Sequence, residues 1–260
     1  MSCCHVRRKV AAISFSEEVC RVLKRTIRDL GGVHAALIQS ASGDKRDLIL
    51  ELCNRIRLAT SLSTHEEWPD FVAALDAEAK GEATEDQSSS LEELVEPWLA
   101  SAGSLKKLDL YQILTSHLSM DLLQHLNKYY PSRLEAPDGS KIPVKYSSSY
   151  PPMASGKLQQ FFGATESPTV GPPENSIAVS LSLLSPSGKT LAQTIDLPFF
   201  WKESYPSVRA EMRGRYAKHP WPEDPLTAVA TRQTKKQQAN GSLQEAAPSK
   251  GRPKKKKRGK

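Results

Sequence analysis

The chain has 260 residues, of which 38% are hydrophobic, enough for one or two domains with part of the length left outside a core. Of its 36 basic and 29 acidic residues, 11 basic and one acidic lie from Arg232 onward, so the end carries +10 and the rest −3. Basicity therefore belongs to a tail rather than to the body. No apolar run approaches the ~20 residues of a membrane span, and residues 1–9 lack the apolar stretch of a signal peptide. The expectation is a soluble, intracellular chain with no membrane partner. Cys3, Cys4, Cys20 and Cys53 form no C-x-x-C pair and have no histidine at zinc spacing, which points to reduced thiols and to no metal site.

Residues 14–30 are predicted to form a helix. Ser14 and Glu17 have capping-box spacing, Val19, Leu23, Ile27 and Leu30 make one stripe, and Gly31-Gly32 ends it. A second helix covers residues 44–58, with Ile49, Leu52, Cys53 and Ile56 inward and Arg46, Arg55 and Arg57 on a solvated face. Residues 66–96 hold 11 acids against Lys80 alone, and residues 81–90 read as an exposed loop or insert. Helical spacing resumes at residues 91–99. Two further helices, residues 104–118 and 119–130, each open on a serine cap.

The pattern changes at Pro131. Residues 133–136 and 141–146 flank Asp138-Gly139 as a hairpin. A short helix at residues 158–162 stops at Gly163, and residues 168–173 form a loop. Ile177, Val179, Leu181 and Leu183 alternate as a half-buried strand, with a partner through Leu191, Ile195 and Leu197 after a turn at residues 185–188. Residues 206–216 are a helix with Pro206 in its first turn and Val208, Met212 and Tyr216 on one stripe. His219-Pro220-Trp221-Pro222 must be extended, because each proline restricts the residue before it. The resulting fold class is α+β. A flexible start (residues 1–13) precedes a bundle of short helices (14–130, with the acidic loop 81–90). Next come β-hairpins and helices around a small antiparallel sheet (131–230), then a disordered basic tail (231–260).

No catalytic constellation emerges. Ser187-Gly188-Lys189-Thr190 imitates the end of a phosphate loop, but the first glycine of that motif would fall at Leu183, and the residues after Thr190 alternate like a strand. Ser155-Gly156-Lys157 fails as well, with Pro151 in the place of the first glycine and Leu158 in the last position. His117 and His125 have no carboxylate at acid–base or metal spacing and read as core-edge or surface residues. Whether the chain works as an enzyme is left open by its sequence. Two segments suit nucleic acid. One is the tail, Arg252, Lys254, Lys255, Lys256, Lys257 and Arg258, which attracts phosphate without sequence preference and equally suits an import receptor. The other runs from Arg209 to Trp221: Arg209, Arg213, Arg215, Tyr216, Lys218, His219 and Trp221 interleave cations with aromatics, as backbone contact plus base stacking requires. The competing reading packs Trp221 and Tyr216 as a strap on the body and leaves the arginines in solvent. Packing is favoured for Trp221, and the arginines remain open.

Several uncommon words then recur in order. Trp201-Lys202-Glu203-Ser204-Tyr205, Val208-Arg209, Arg213-Gly214-Arg215-Tyr216 and the run from His219 to Pro225 (HPWPEDP) closely resemble the end of HrpB-type DEAH-box RNA helicases. The run from Ala136 to Pro143 (APDGSKIP) and Leu183-Leu184-Ser185-Pro186 resemble it too, with weaker likeness at Glu96-Pro97-Trp98-Leu99 and Trp68-Pro69-Asp70. The resemblance covers roughly residues 14 to 230. It implies an enzyme whose two RecA-like motor domains are followed by helical and OB-type accessory domains and then by this region, which would pack on the motor and shape the RNA path. The motor's motifs do not occur here, so ATP and magnesium would enter only through a motor outside this chain. The expected function is an accessory C-terminal module that binds RNA, a helicase core or both and has no ATPase activity of its own, whether free-standing or a fragment. A truncated gene model of a full ATP-dependent RNA helicase is one alternative. A nuclear protein-interaction adaptor is the other. The lysine tail suggests the nucleus; an organelle or the cytoplasm is compatible.

Overall fold

The structure is a computed structural model that describes residues 15–39, 41–62, 68–147 and 151–237. These divide into two units. The first takes the residues up to 132 together with 145–147 and 170–177; the second takes 133–144, 151–169 and 178 onward.

The first unit is helical. Helix α1 (Phe15–Asp29) buries Leu23 and Ile27, while Leu30 at the end of the expected stripe is 53% exposed. It stops where Gly31 and Gly32 take φ of +92° and +101°, a region that costs a Cβ-bearing residue. Gly32 is required twice, because a Cβ there would lie 2.5 Å from a carboxylate oxygen of Glu78. That carboxylate is occupied: its Oε2 accepts the His34 N–H at 2.8 Å, at the start of a π turn (His34–Ile38).

Helix α2 (Gly43–Leu62) buries Ile49, Leu52, Cys53 and Ile56 as expected, and burial pushes the Cys53 thiol up to about 12. Arg55 departs from expectation. It is buried, not solvated: its guanidinium donates to Tyr130 O (2.7 Å), Leu126 O (3.2 Å) and Asn127 Oδ1 (2.8 Å). These acceptors lie at the C-terminal end of α6 (Met120–Tyr129), where exposed carbonyls carry partial negative charge and favour a cation. Arg57 forms an ion pair with Asp76.

The expected loop at residues 81–90 shrinks to four residues. Helix α3 (Phe71–Lys80) ends at Gly81, and α4 (Glu85–Ala102) begins directly after Thr84. Thr84 and Gln87 form a reciprocal capping box, with Thr84 N–H to Gln87 Oε1 at 3.0 Å and Gln87 N–H to Thr84 Oγ1 at 3.3 Å. Glu85 and Asp86 suit the positive end of that helix, so acids that read as a loop are a first turn. Leu91, Val95 and Leu99 of α4 are fully buried, and α4 packs on α1 and α3. Ser119 caps α6 as expected, but Ser104 makes no cap: a short 3₁₀ turn (Leu105–Lys107) follows it, and Asp109 caps α5 (Leu110–Ser116).

The second unit is built on a sheet. Strands β1 (Arg133–Glu135) and β2 (Lys141–Lys145) form the expected hairpin, with Gly139 at φ +75° in its turn. Strand β3 (Met153–Lys157) comes next, then β6 (Ser180–Leu184) and β7 (Thr190–Thr194); the short strands β4 (Thr169–Val170) and β5 (Ile177–Ala178), between β3 and β6 in the chain, pair separately with each other. The five-stranded order is β1-β2-β3-β6-β7. The α+β class stands, but the sheet is mixed: β3 runs parallel to β6, with Ala154 opposite Leu181, while β6 and β7 are antiparallel. Gly156 lets β3 approach its neighbours, since a Cβ there would meet Ile142 at 2.6 Å and Phe161 at 2.8 Å.

The strand expected to run to Leu197 ends at Thr194. Asp196 Oδ1 accepts the Phe199 N–H at 2.9 Å and opens a helical turn, α7 (Leu197–Phe199), which continues through a π turn (Phe200–Ser204) into α8 (Tyr205–Arg215). Here Phe162, Phe200, Trp201 and Tyr205 make a ring cluster with centroids 5.2 to 6.2 Å apart.

Candidate nucleic-acid interface

Past α8 the chain runs back over its own unit as a strap. Gln159 Nε2–H donates to Pro220 O (2.8 Å), Tyr205 O–H to Pro222 O (2.8 Å), Gly163 N–H to Pro225 O (2.9 Å) and Thr231 N–H to Gln159 O (2.9 Å). Prolines at 220, 222 and 225 offer only carbonyls, and donors from the body take them up.

This strap sorts the residues singled out in the sequence. Trp221 is 7% exposed and its indole N–H donates to Tyr216 O at 3.1 Å, so it is a packing residue. Arg209 is also committed, with Nε–H to Trp221 O and an Nη2 hydrogen bond to Glu223, both at 3.1 Å. Arg213 and Arg215 stand exposed on the last turn of α8, where the helix dipole favours cations, and Arg215 pairs with Glu211 at 3.3 Å. Tyr216 and His219 are half-buried, and Lys218 is exposed. The tail residues Arg252, Lys254, Lys255, Lys256, Lys257 and Arg258 lie outside the described residues, as do Cys3, Cys4 and Ser14.

Three further lysines join them, each from a distant segment. Lys189, in the turn between β6 and β7, acts electrostatically on Tyr216. Lys157, at the end of β3, acts on His219. Lys235 donates its backbone N–H to Lys218 O at 2.9 Å. The Tyr216 hydroxyl lies 2.7 Å from Ser187 Oγ. Its pKa is lowered, first by the hydrogen bonds of Ser187 and Ser185 and then by Arg215 and Lys189. The pKa of the His219 imidazole is pushed down by burial first and by Lys157 second, which favours its neutral form; its Nδ1 has no hydrogen-bond partner among the described residues. Lys157, Lys189 and Arg215 thus bring positive charge to two partly exposed rings, and Lys218 and Lys235, exposed and joined through their backbones, lie next to them in the chain fold. Their electrostatics suit the phosphodiester backbone.

Sequence reasoning missed Lys157, Lys189 and Lys235. The first two sit in the very segments that imitate phosphate loops. The structure puts Lys189 on a tight turn closed by Gly188 N–H to Ser185 O at 2.9 Å, and Lys157 at the end of a strand. A cavity of this unit, about 320 Å³, is lined by Leu134, Ile142, Leu181 and Leu197 with Glu135 and Glu166 and has no cation in its lining, so it does not complement phosphate.

Comparison with known proteins agrees with the words in the sequence. A family model described as "ATP-dependent helicase C-terminal" (HrpB_C) matches residues 94–225. The chain is 38% identical over 154 residues to the ATP-dependent RNA helicase HrpB of Escherichia coli K12, a match covering 56% of this chain and 19% of that protein. Among solved structures it is similar to the E. coli DExH-box NTPase HrpB, with a TM-score of 0.67 and 30% identity over 86% of this chain and 25% of the other. A second structure, of the E. coli DEAH/RHA helicase HrpB, gives a TM-score of 0.59 at 29% identity over 82% of this chain and 25% of the other. The chain thus spans about a fifth of its curated relative's length and a quarter of the solved chains. The chain belongs to the HrpB-type family of helicase C-terminal regions.

Proposed function

We propose that this chain is the accessory C-terminal module of an RNA helicase and that it binds RNA through the basic surface around Tyr216 and His219, leaving ATP hydrolysis to a motor outside it. The carrying observation is that Lys157 at the end of β3 acts on the His219 ring and Lys189 of the β6–β7 turn acts on the Tyr216 ring, cations from two separate segments beside neighbouring rings. A cation placed merely for solubility has no reason to converge so. The test is fluorescence anisotropy with a labelled oligoribonucleotide. The protein is the full chain with its terminal cations, Arg252, Lys254 to Lys257 and Arg258, replaced by serine. Retained, salt-sensitive binding supports the reading; complete loss assigns the affinity to the tail alone. The same protein should show no RNA-stimulated ATP turnover.

A helicase core is the second proposed partner, supported by the match to helicase C-terminal regions. Ile195 and Phe199 are 57% and 60% exposed, apolar side chains of a kind that buries well against another protein. Import to the nucleus through the terminal lysines completes the proposal, and a fluorescent fusion that leaves the nucleus when those lysines become serine would support it.

A further inference from the structure

The cavity of about 320 Å³ in the second unit pairs an apolar floor with an acidic mouth. Ile142, Leu181 and Leu197 on its floor are buried, whereas Glu135 and Glu166 are exposed. An apolar hollow of about 150 Å³ already admits a benzene ring, so this one has room for a branched aliphatic side chain. The carboxylates at its edge select a segment that carries cations beside that side chain. The strap passes close by. Arg232 forms an ion pair with Asp138 at 3.3 Å, and Asp138 directly follows Pro137 of the cavity wall. Five positions later, Gln237 is the last described residue.

We propose that the end of this chain folds back on the cavity, with Leu243 seated on its floor and the cations from Lys250 onward against Glu135 and Glu166. Leu243 is the one large apolar side chain of residues 238–260, which also carry eight basic residues and a single acid, Glu245. It lies eleven positions beyond Arg232, a reach of up to about 36–40 Å, so chain length permits the contact. Ion pairs between exposed groups hold a segment weakly, so the leucine supplies the anchor and the charges supply the orientation. While the segment is seated, its cations face carboxylates and are withheld from phosphate or an import receptor.

A carbodiimide joins a carboxylate to an ammonium only where the two touch, so it reports the seat directly. Unlabelled and nitrogen-15-labelled full chains, mixed in equal amounts, are treated with it, and the linked peptides are identified by mass spectrometry. The expected products join Glu135 or Glu166 to a lysine of residues 250–257 within one isotopic chain. Losing a seated leucine shifts such an equilibrium by about tenfold or more, so Leu243→Asp should cut these links by that factor and spare links from the tail to other acids. Leu243→Met should keep most of them, because methionine fills a similar volume. Links unchanged in Leu243→Asp would mean that charge alone brings the tail there and would overturn the proposal. Links joining labelled to unlabelled chains as often as within one chain would overturn it too, by placing a second copy's tail in the cavity. So would the absence of links at Glu135 and Glu166, which leaves the cavity to another protein such as a helicase core. The RNA-binding reading stands or falls separately, by the anisotropy measurement with the serine-substituted tail.

Discussion

Arg55 offers the sharpest test of the helical unit. Replacing it with alanine removes a guanidinium that satisfies Tyr130 O, Leu126 O and Asn127 Oδ1. Leu126 O keeps a partner, because it also accepts the Tyr130 N–H at 3.0 Å. Tyr130 O loses the hydrogen bond from Arg55 Nε, and Asn127, which is exposed to water, loses the one from Nη2. A buried acceptor left without a donor costs about 1–3 kcal/mol, and hydrogen bonds to a charged donor contribute about 1.5–3 kcal/mol each. Against this, alanine removes a cation that burial disfavours, as its lowered pKa indicates. The net expectation is a loss of about 2–4 kcal/mol for Arg55→Ala. Arg55→Lys should lose at least half as much, because an ammonium is a single centre and cannot reach acceptors on both Nε and Nη2. Urea denaturation followed by far-ultraviolet circular dichroism measures both. A change within about 0.5 kcal/mol, the range of ordinary surface substitutions, would refute the assigned role.

Three further outcomes rest on particular residues. Gly32→Ala should destabilise by about 1–3 kcal/mol, since φ is +101° and the new Cβ collides with the Glu78 carboxylate. Gly81→Ala, at φ +73° with open space around it, should cost only about 1–2 kcal/mol, so a reversed order in thermal melts would contradict the clash argument. The His219 pKa is lowered in the folded chain, so the unfolded state takes up its proton first as pH falls. Stability should therefore be full above the unfolded value of about 6.5 and decline below it. His219→Gln should flatten that part of the pH profile in urea melts, and an unchanged profile would remove His219 from the account. Finally, iodoacetamide should spare Cys53 until the protein unfolds, because burial raises its thiol and withholds the thiolate.

Local chemistry was legible in the sequence, and non-local chemistry was not. The hairpin at Asp138-Gly139 and the end of α1 at Gly31-Gly32 depend on turn residues whose backbone preference travels with them. The Thr84–Gln87 capping box was equally local but was hidden by the acidic composition around it. Strand β3 was invisible because Met153-Ala-Ser-Gly-Lys157 has little strand propensity; its partner β6 lies beyond two 3₁₀ turns and supplies the pairing. Arg55 read as surface because a long polar side chain declares nothing about the helix end it will meet. The interface divides the same way. Tyr216, Lys218 and His219 were readable as a run of neighbours, while Lys157 and Lys189 reach them only through the parallel crossover and the β6–β7 turn. Trp221 and Arg209 joined the candidates on residue type, and hydrogen bonds to the strap explain them as structure.

The most direct test of the central claim is the salt dependence of RNA binding. The full chain with its serine-substituted tail is compared with the same protein carrying Lys157→Gln, Lys189→Gln, Lys218→Gln and Lys235→Gln, all four being surface or partly exposed positions. For single strands the slope of log K against log salt changes by about 0.7 for each phosphate that the protein no longer neutralises. The account predicts weaker binding and a shallower slope, by about 0.7 for each lysine that engages a phosphate. An unchanged slope with unchanged affinity would place the RNA elsewhere and contradict the account.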